Sequence, residues 1–451
     1  MKCLFLYYNP APYSKDLRYM TSDDESWMRI QGSSIHTGLA SIAAVAAAHG
    51  VECRVFDTSS LPKREIGEAF RKELISYAPD ILGITVFTQY WNTIKTLLSA
   101  ALTDYPVKRP LTIAGGPHST AAPESVLSSN FIDIAVIGEG EIPFAGIIDV
   151  LRGNGSLCDV SGIRYKDGCE IRKGGVPVFV SSLDELPFPD WSVFVSSYLI
   201  SPPPQSHRPS VGVFNSSRGC PYRCLFCQND NYKNLYSSES TFHRELSPTR
   251  LIDEIEDKLQ RYGFSQVVFL DETFIVNLDR LERIAELYVK RINLPCVVQT
   301  HPDTITHKSM SLLGKMGVVE MKVGIECGNE LYRKEILGRD TPNRRLIERC
   351  KIPREYGISI TSNNIIGLPF ETRDMIVETI ELNQILQVDH CCVNVFQPLP
   401  GTRLYDICVE NDLFLEDDHC NLGYGANRTV IKTLVSQEEL DELKGMFPNV
   451  W

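Results

Sequence analysis

The sequence predicts an α/β protein: a doubly wound parallel sheet followed by a partial (β/α)6 barrel. Three observations carry this. Strand-like runs that are apolar on both faces alternate with helix-like stretches, as in buried parallel sheets. Two of the runs end in glycine-rich breaks, at the strand ends where such sheets bind ligands. The chain has 451 residues, too many for one ordinary core, so two domains are expected.

The first domain is expected over residues 1–150. Residues 2–8 form an apolar first strand. Residues 38–49 are Ala-rich and helical, and Gly50 is a plausible stop. Residues 51–56 alternate as a strand, residues 81–87 are rich in β-branched side chains, and residues 91–102 have helical spacing. A strand at 111–114 breaks into Gly115-Gly116-Pro117, and one at 131–137 breaks into Gly138-Glu139-Gly140-Glu141. Residues 151–210 are expected as a small β appendage and a Pro-rich linker. The appendage has strands at 162–165 and 176–180 around Asp167-Gly168, and the linker contains Pro202-Pro203-Pro204.

From 211 to 402 the alternation resumes. Strands are expected at 211–215, 266–270, 296–300, 318–325, 359–366 and 391–396, with helices between them such as 248–262, 278–292 and 373–386. Six βα units predict the partial barrel, with chemistry at the strand carboxyl ends. Residues 403–451 are left as a short C-terminal tail.

The net charge of −12 argues against a broad phosphate-binding surface, so no nucleic-acid partner is expected. No apolar run has the length of a membrane span. Residues 3–8 are too short for a signal-peptide core and run into Asn9-Pro10. A cytoplasmic protein without a membrane partner is expected. The fourteen cysteines therefore read as thiols or metal ligands rather than disulfides. Cys53, Cys296, Cys350 and Cys408 lie singly in apolar runs, as small buried hydrophobes do.

One group is spaced for metal. In Arg218-Gly219-Cys220-Pro221-Tyr222-Arg223-Cys224-Leu225-Phe226-Cys227, three cysteines follow the first strand of the second half as CxxxCxxC. Three thiolates on one tight loop can hold three irons of a 4Fe-4S cubane, leaving one iron open. An open iron can take a substrate chelate, as catalytic zinc keeps an open position. The alternative, a zinc site, needs a fourth ligand, and a second CxxC is absent.

This pattern, with Phe226 before its third cysteine, resembles the signature of the radical S-adenosylmethionine superfamily. The resemblance implies that the open iron chelates the amino and carboxylate groups of S-adenosylmethionine. One electron then cleaves it to a 5′-deoxyadenosyl radical that abstracts hydrogen. Phe269-Leu270-Asp271-Glu272 resembles the acidic motif that meets the methionine amino group, with Asp271 and Glu272 as candidates. Gly324-Ile325-Glu326-Cys327-Gly328 resembles the Gly-x-Glu-Ser-Gly segment, placing Glu326 toward the ribose or methionine end, with Cys327 replacing the usual serine. Ile366-Gly367-Leu368-Pro369 with Glu371-Thr372 resembles the adenine-contact motif, which implicates Gly367 and Pro369. Pro398-Leu399-Pro400-Gly401-Thr402 also matches. Alone, a carboxylate after a strand is usually a helix cap and Gly-x-Pro a turn. Their order in successive βα units carries the reading.

The first half resembles the Rossmann-like cobalamin-binding domain that precedes this barrel in one subfamily. Residues 114–119 and 137–141 match best, with residues 183–191 as connector. The implied cofactor contacts are Gly115, Gly116, His118, Gly138 and Glu139, with Thr85 and Thr88 facing the nucleotide tail. Glycines at such turns let the backbone approach a large flat ligand. The alternative is a Rossmann-like domain that binds nothing. The Asp-x-His-x-x-Gly motif is absent. The resemblance thus implies base-off cobalamin without a histidine from this chain, and His118 reads as a cap or phosphate contact.

The function implied is that of a cobalamin-dependent radical S-adenosylmethionine enzyme. It would methylate an unactivated carbon or phosphorus of a small-molecule substrate via methylcobalamin and the 5′-deoxyadenosyl radical. Rearrangement, cyclisation or sulfur insertion with the same cofactors is one alternative. A non-catalytic cobalamin or iron–sulfur sensor is another. Methylthiotransfer is disfavoured: residues 1–150 contain only Cys3 and Cys53, and no basic RNA-binding domain follows the barrel. Without a second cluster motif, a ferredoxin or flavodoxin electron donor is implied. Oligomeric state is not readable. Tyr90, Trp91, His301, Asn394 and Gln397 are substrate-facing candidates, and Tyr232, Tyr236 and His243 read as part of a lid.

Overall fold

The computed structural model describes residues 1–9, 35–194, 211–236, 242–415 and 428–450. Pro202-Pro203-Pro204 lies outside them. Two compact units emerge: Met1–Arg208 with Tyr232–Glu239, and Pro209–Asn231 with Ser240–Trp451.

The first unit is one seven-stranded sheet. Its strands are β1 (Lys2–Tyr7), β2 (Glu52–Asp57), β3 (Ile81–Thr85), β4 (Leu111–Gly115), β5 (Ile134–Val136), β6 (Ile163–Asp167) and β7 (Glu170–Lys173). Helices α1 (Thr37–Ala48), α2 (Ile66–Tyr77), α3 (Trp91–Leu102), α4 (Pro117–Ala121) and α5 (Glu141–Leu151) connect them. Every residue of β3 is buried, which is why that run is apolar on both faces. The order is β2-β1-β3-β4-β5-β6-β7, parallel through β5 and antiparallel beyond.

The hairpin expected as an appendage is therefore the edge of this sheet, hydrogen-bonded to β5. Its second strand is β7, not residues 176–180. Gly168, at φ +62°, closes a tight turn, so the return strand starts at once, and Pro177 interrupts the later run. The 2-1-3-4-5 order reverses direction between β1 and β3. That is the switch point at which such sheets open a ligand crevice.

The second unit is an open barrel of six parallel strands in chain order. These are β8 (Val211–Phe214), β11 (Gln266–Phe269), β12 (Cys296–Thr300), β13 (Val318–Glu326), β14 (Ser359–Ile366) and β15 (His390–Val395). A short ladder of β9 (Ser217–Arg218) and β10 (Arg244–Glu245) follows β8. The main helices are α6 (Gln228–Leu235), α7 (Pro248–Tyr262), α8 (Leu278–Arg291), α9 (His307–Met316) and α10 (Arg373–Leu386). Sequence punctuation sets their ends: α7 has Ser247 as N-cap, Pro248 in its first turn and Gly263 at φ +66° after its last.

Residues 403–451 hold α11 (Arg403–Glu410) and α12 (Gln437–Gly445), the latter opened by a Ser436/Glu439 capping box. The Cys391 amide donates to Asn449 O at 3.2 Å, laying the chain end beside β15. No helix among the described residues is long and apolar enough to cross a membrane.

Candidate functional site

The cysteine loop leaves the carboxyl end of β8. At Gly219 the backbone turns to φ +80°, and a Cβ there would meet Phe242 O at 2.7 Å, so only glycine fits. Cys220, Cys224 and Cys227 are half-buried free thiols. The Cys227 amide donates to Cys224 O at 3.0 Å, folding the second and third cysteines into one turn. The Leu225 amide donates to Leu337 O at 3.1 Å, and Leu225 O accepts from the Leu404 amide at 3.2 Å. Phe226 packs against a cluster containing Leu368 and Phe396.

Burial pushes the Cys224 thiol up to about 12, against the pull of Arg339. Cys227 is raised by burial too, opposed by Asn229, whose side-chain amide donates to its sulfur at 3.7 Å. A cubane takes each thiolate on a different iron. Three free thiols on one loop, two of them folded into a single turn, fit that donor set.

The two carboxylates after β11 face different surroundings. Asp271 is fully buried and accepts hydrogen bonds from the Ser216 amide (3.0 Å), the Ser216 hydroxyl (2.8 Å) and the Ser217 hydroxyl. Its carboxylate is occupied by the protein, which narrows the expectation that both acids meet a cofactor. Glu272 keeps more than a third of its surface open. Even so, surrounding protein raises its carboxyl above the usual range, and the Asp271 charge adds to that.

Glu326 ends β13 at φ +67°, where the register against β14 shifts. A non-glycine residue in that conformation is strained, as residues at functional sites often are. Arg339 holds its carboxylate at 2.8 Å and also donates to Gly324 O at 2.8 Å. Burial still raises the Glu326 carboxyl, with Arg339 opposing. Sequence reasoning missed Arg339, which has no motif of its own.

Gly367 sits at φ +71° after β14. Pro369 O accepts from the Tyr332 hydroxyl at 2.6 Å. His301, after β12, stacks on Tyr222 of the cysteine loop with ring centroids 3.7 Å apart. Burial lowers its pKa to about 3, so it is a neutral ring at working pH. Gln397 donates to Arg428 O at 3.0 Å, while Asn394 is exposed. Lys322, also missed, is buried on β13 and lowered to about 7 by desolvation.

In the first unit, Thr85 ends β3 at the switch point, and Thr88 follows one turn later. His118 is 1% exposed; its Nδ1 lies 3.2 Å from Thr88 Oγ1, and its Nε2 is buried without a partner. Burial lowers this histidine to about 4. Trp91 is buried against it at 5.9 Å, which removes Trp91 from the substrate-facing candidates.

Gly115 closes β4, and Gly116 follows at φ +93°, where a Cβ would lie 3.0 Å from Thr85 Oγ1 and from the Val86 amide nitrogen. At Gly138, φ +82°, a Cβ would clash with the Tyr236 hydroxyl. Tyr236 also accepts from the Glu139 amide at 3.1 Å, and Glu139 accepts from the Val180 amide at 3.0 Å. Gly138 and Glu139 thus meet Tyr236 and Val180, Gly116 meets the end of β3, and Tyr236 is a packed residue rather than a lid. A switch point, two threonines and an orphaned buried imidazole nitrogen remain as features that fit a cofactor's polar tail.

A model of the radical SAM superfamily matches residues 214–382, and a model of the B12 binding domain matches residues 29–148. An uncharacterized methyltransferase of Pyrococcus horikoshii is 28% identical over 351 residues, covering 76% of this chain and 72% of that protein. The anaerobic magnesium-protoporphyrin IX monomethyl ester cyclase of Cereibacter sphaeroides is 25% identical over 349 residues. That match covers 75% of this chain but 54% of the cyclase, so the chain spans about half the length of that relative. Among solved structures, the radical S-adenosylmethionine methyltransferase TsrM of Kitasatospora setae, with cobalamin and a 4Fe-4S cluster bound, aligns with a TM-score of 0.67. It is 16% identical and covers 98% of this chain and 84% of its own. At that identity the likeness concerns the fold.

Proposed function

Because the chain belongs to the radical SAM superfamily and carries a B12-binding domain ahead of its barrel, we propose that it is a methyltransferase acting on an unactivated carbon or phosphorus of a small molecule. The cofactors of this family are a 4Fe-4S cluster, S-adenosylmethionine and cobalamin. When bound, the first two supply a radical that removes hydrogen, and the third supplies a transferable methyl group. The observation that carries the reading is the pairing, in one chain, of a three-thiol loop at a barrel mouth with a switch-point sheet. The 28% identity to a methyltransferase over 76% of the chain favours methylation as the outcome.

The chain's residues divide the work as follows. Cys220, Cys224 and Cys227 would hold the cluster by three of its irons, leaving one for S-adenosylmethionine. Glu272, the exposed member of the pair after β11, accepts from the methionine amino group. Glu326, held by Arg339, accepts from the ribose or methionine end. Gly367 and Pro369, with Phe226 packed close by, form the adenine side. Thr85, Thr88 and Gly115 hold cobalamin at the first sheet. The electron comes from a ferredoxin or flavodoxin, since the sequence has one cluster motif only.

The resemblance to the cyclase, 25% identical over 75% of this chain, supports a second reading in which the same cofactors drive ring closure without methyl transfer. Anoxic incubation of the reconstituted chain with dithionite, cobalamin and methyl-labelled S-adenosylmethionine separates them. We expect both S-adenosylhomocysteine and 5′-deoxyadenosine. 5′-Deoxyadenosine alone would favour the second reading. Neither product would leave a cofactor-binding sensor.

A further inference from the structure

We propose that Asp271 is a positioning residue for the cysteine loop rather than a cofactor contact, leaving Glu272 as the cofactor-facing member of the acidic pair. The inference rests on the reading that Cys220, Cys224 and Cys227 carry a cluster, and assigns who holds them in place.

Asp271 and Glu272 follow the end of β11 and face different surroundings: Asp271 is buried, whereas Glu272 is exposed. Asp271 is 0% exposed and uses both oxygens: one accepts from the Ser216 amide at 3.0 Å, the other from the Ser216 hydroxyl at 2.8 Å and the Ser217 hydroxyl. A buried carboxylate with three donors has little capacity for a further amine.

Other side chains grip Ser216 and Gly219 of the same segment. Arg280 donates to Ser216 O at 2.7 Å and to Leu246 O at 2.9 Å. His243 Nδ1 donates to Gly219 O at 2.9 Å, and its Nε2 lies 3.5 Å from Glu245. Arg280 reaches the same Glu245 oxygen at 3.5 Å. Ser216 to Gly219, the entry to Cys220, is thus fixed from β11, α8 and β10 together. Three-point chelation of one cluster requires thiolates already in place, and outlying hydrogen bonds supply that order.

The test compares Asp271→Asn, Ser217→Ala and Glu272→Gln in the full chain, reconstituted anoxically with iron and sulfide. Three readouts are taken: iron per chain, loss of visible absorbance under a ferrous chelator, and S-adenosylmethionine binding by equilibrium dialysis. The parent should hold about four irons.

Ser217→Ala should lose its cluster about tenfold faster than the parent, the scale of one hydrogen bond to a charged group. Its metal-free form should still fold and melt within a few degrees of the parent, the scale of one lost buried hydrogen bond. Asp271→Asn should lose its cluster faster still, while the loaded fraction binds S-adenosylmethionine as the parent does. Glu272→Gln should keep the parent cluster lifetime and bind S-adenosylmethionine at least about tenfold more weakly.

Parent cluster lifetimes in Asp271→Asn and Ser217→Ala, with S-adenosylmethionine binding lost in Asp271→Asn, would overturn the proposal. If Asp271→Asn fails to fold, the Ser217→Ala lifetime decides alone. A parent that takes up no iron would instead sink the underlying cluster reading.

Discussion

Glu371 shows what a single buried acid does to this barrel. It is 1% exposed, its Oε2 accepts from the Leu368 amide at 3.1 Å, and its Oε1 has no partner. An unpartnered oxygen in the interior is tolerable when the group is neutral, and burial pushes this carboxyl up to about 8. The unfolded chain releases the proton near the ordinary glutamate value of 4.5. The folded state therefore binds more protons between those values. Its stabilising contribution is complete below the lower value and is lost as pH rises through the upper one, on the order of a few kcal/mol. Glu371→Gln fixes the neutral form. Denaturant titrations across this window should show a flatter stability profile for the variant, and parallel profiles would refute the assignment. At this scale the cysteines were legible, because ligand spacing is a local property of the chain. Asp271 was not. What distinguishes it from Glu272 is a pair of serines 54 and 55 residues away, a distance no motif reports. Arg339 was equally hidden, since its pairing with Glu326 depends on how the chain returns after β13.

Elements are decided by backbone as much as by side chains. Gly116, at φ +93°, turns the chain from β4 into α4 while pressing on the end of β3. Gly116→Ala would combine a disfavoured conformation with contacts at 3.0 Å to Thr85 and Val86. It should cost about 2 kcal/mol in the metal-free chain. The same push on Thr85 should lower cobalt uptake. A variant that melts with the parent would mean the turn has slack. The strands of both sheets were readable to within a few residues, because runs apolar on both faces point to buried parallel strands. The edge hairpin was readable only in its first half. Exposed β7, with every residue open to solvent, has no apolar pattern to announce it. The strained end of β13 was not readable either. Glu326 takes a left-handed conformation because of its place between Gly324, Arg339 and β14, not because of its residue type.

At the scale of the whole molecule, the two cofactors should be separable. The chain forms two compact units, and the residues proposed for each cofactor fall in different ones. Cys220, Cys224 and Cys227 belong to the second, and Thr85, Thr88, Gly115 and His118 to the first. The two-unit division was legible from length and from the restart of alternation at 211, since each sheet buries its own apolar faces. Replacing all three cysteines, Cys220→Ala, Cys224→Ala and Cys227→Ala, removes the donors of one site and leaves the other sheet untouched. Produced anoxically with cobalamin, the parent should carry about four irons and one cobalt per chain, and the triple variant no iron but the same cobalt. The environment of that cobalt is a second readout. His118 is buried, with Nδ1 at Thr88 and its ring against Trp91, and on the proposed reading it would not serve as a ligand of cobalt. The electron paramagnetic resonance spectrum of the cobalt(II) form should therefore lack nitrogen splitting on its lower face, in parent and variant alike. Nitrogen splitting that His118→Gln removes would place the imidazole on cobalt and overturn this view of the first sheet. Loss of cobalt together with iron in the triple variant would show that the two sites fold as one.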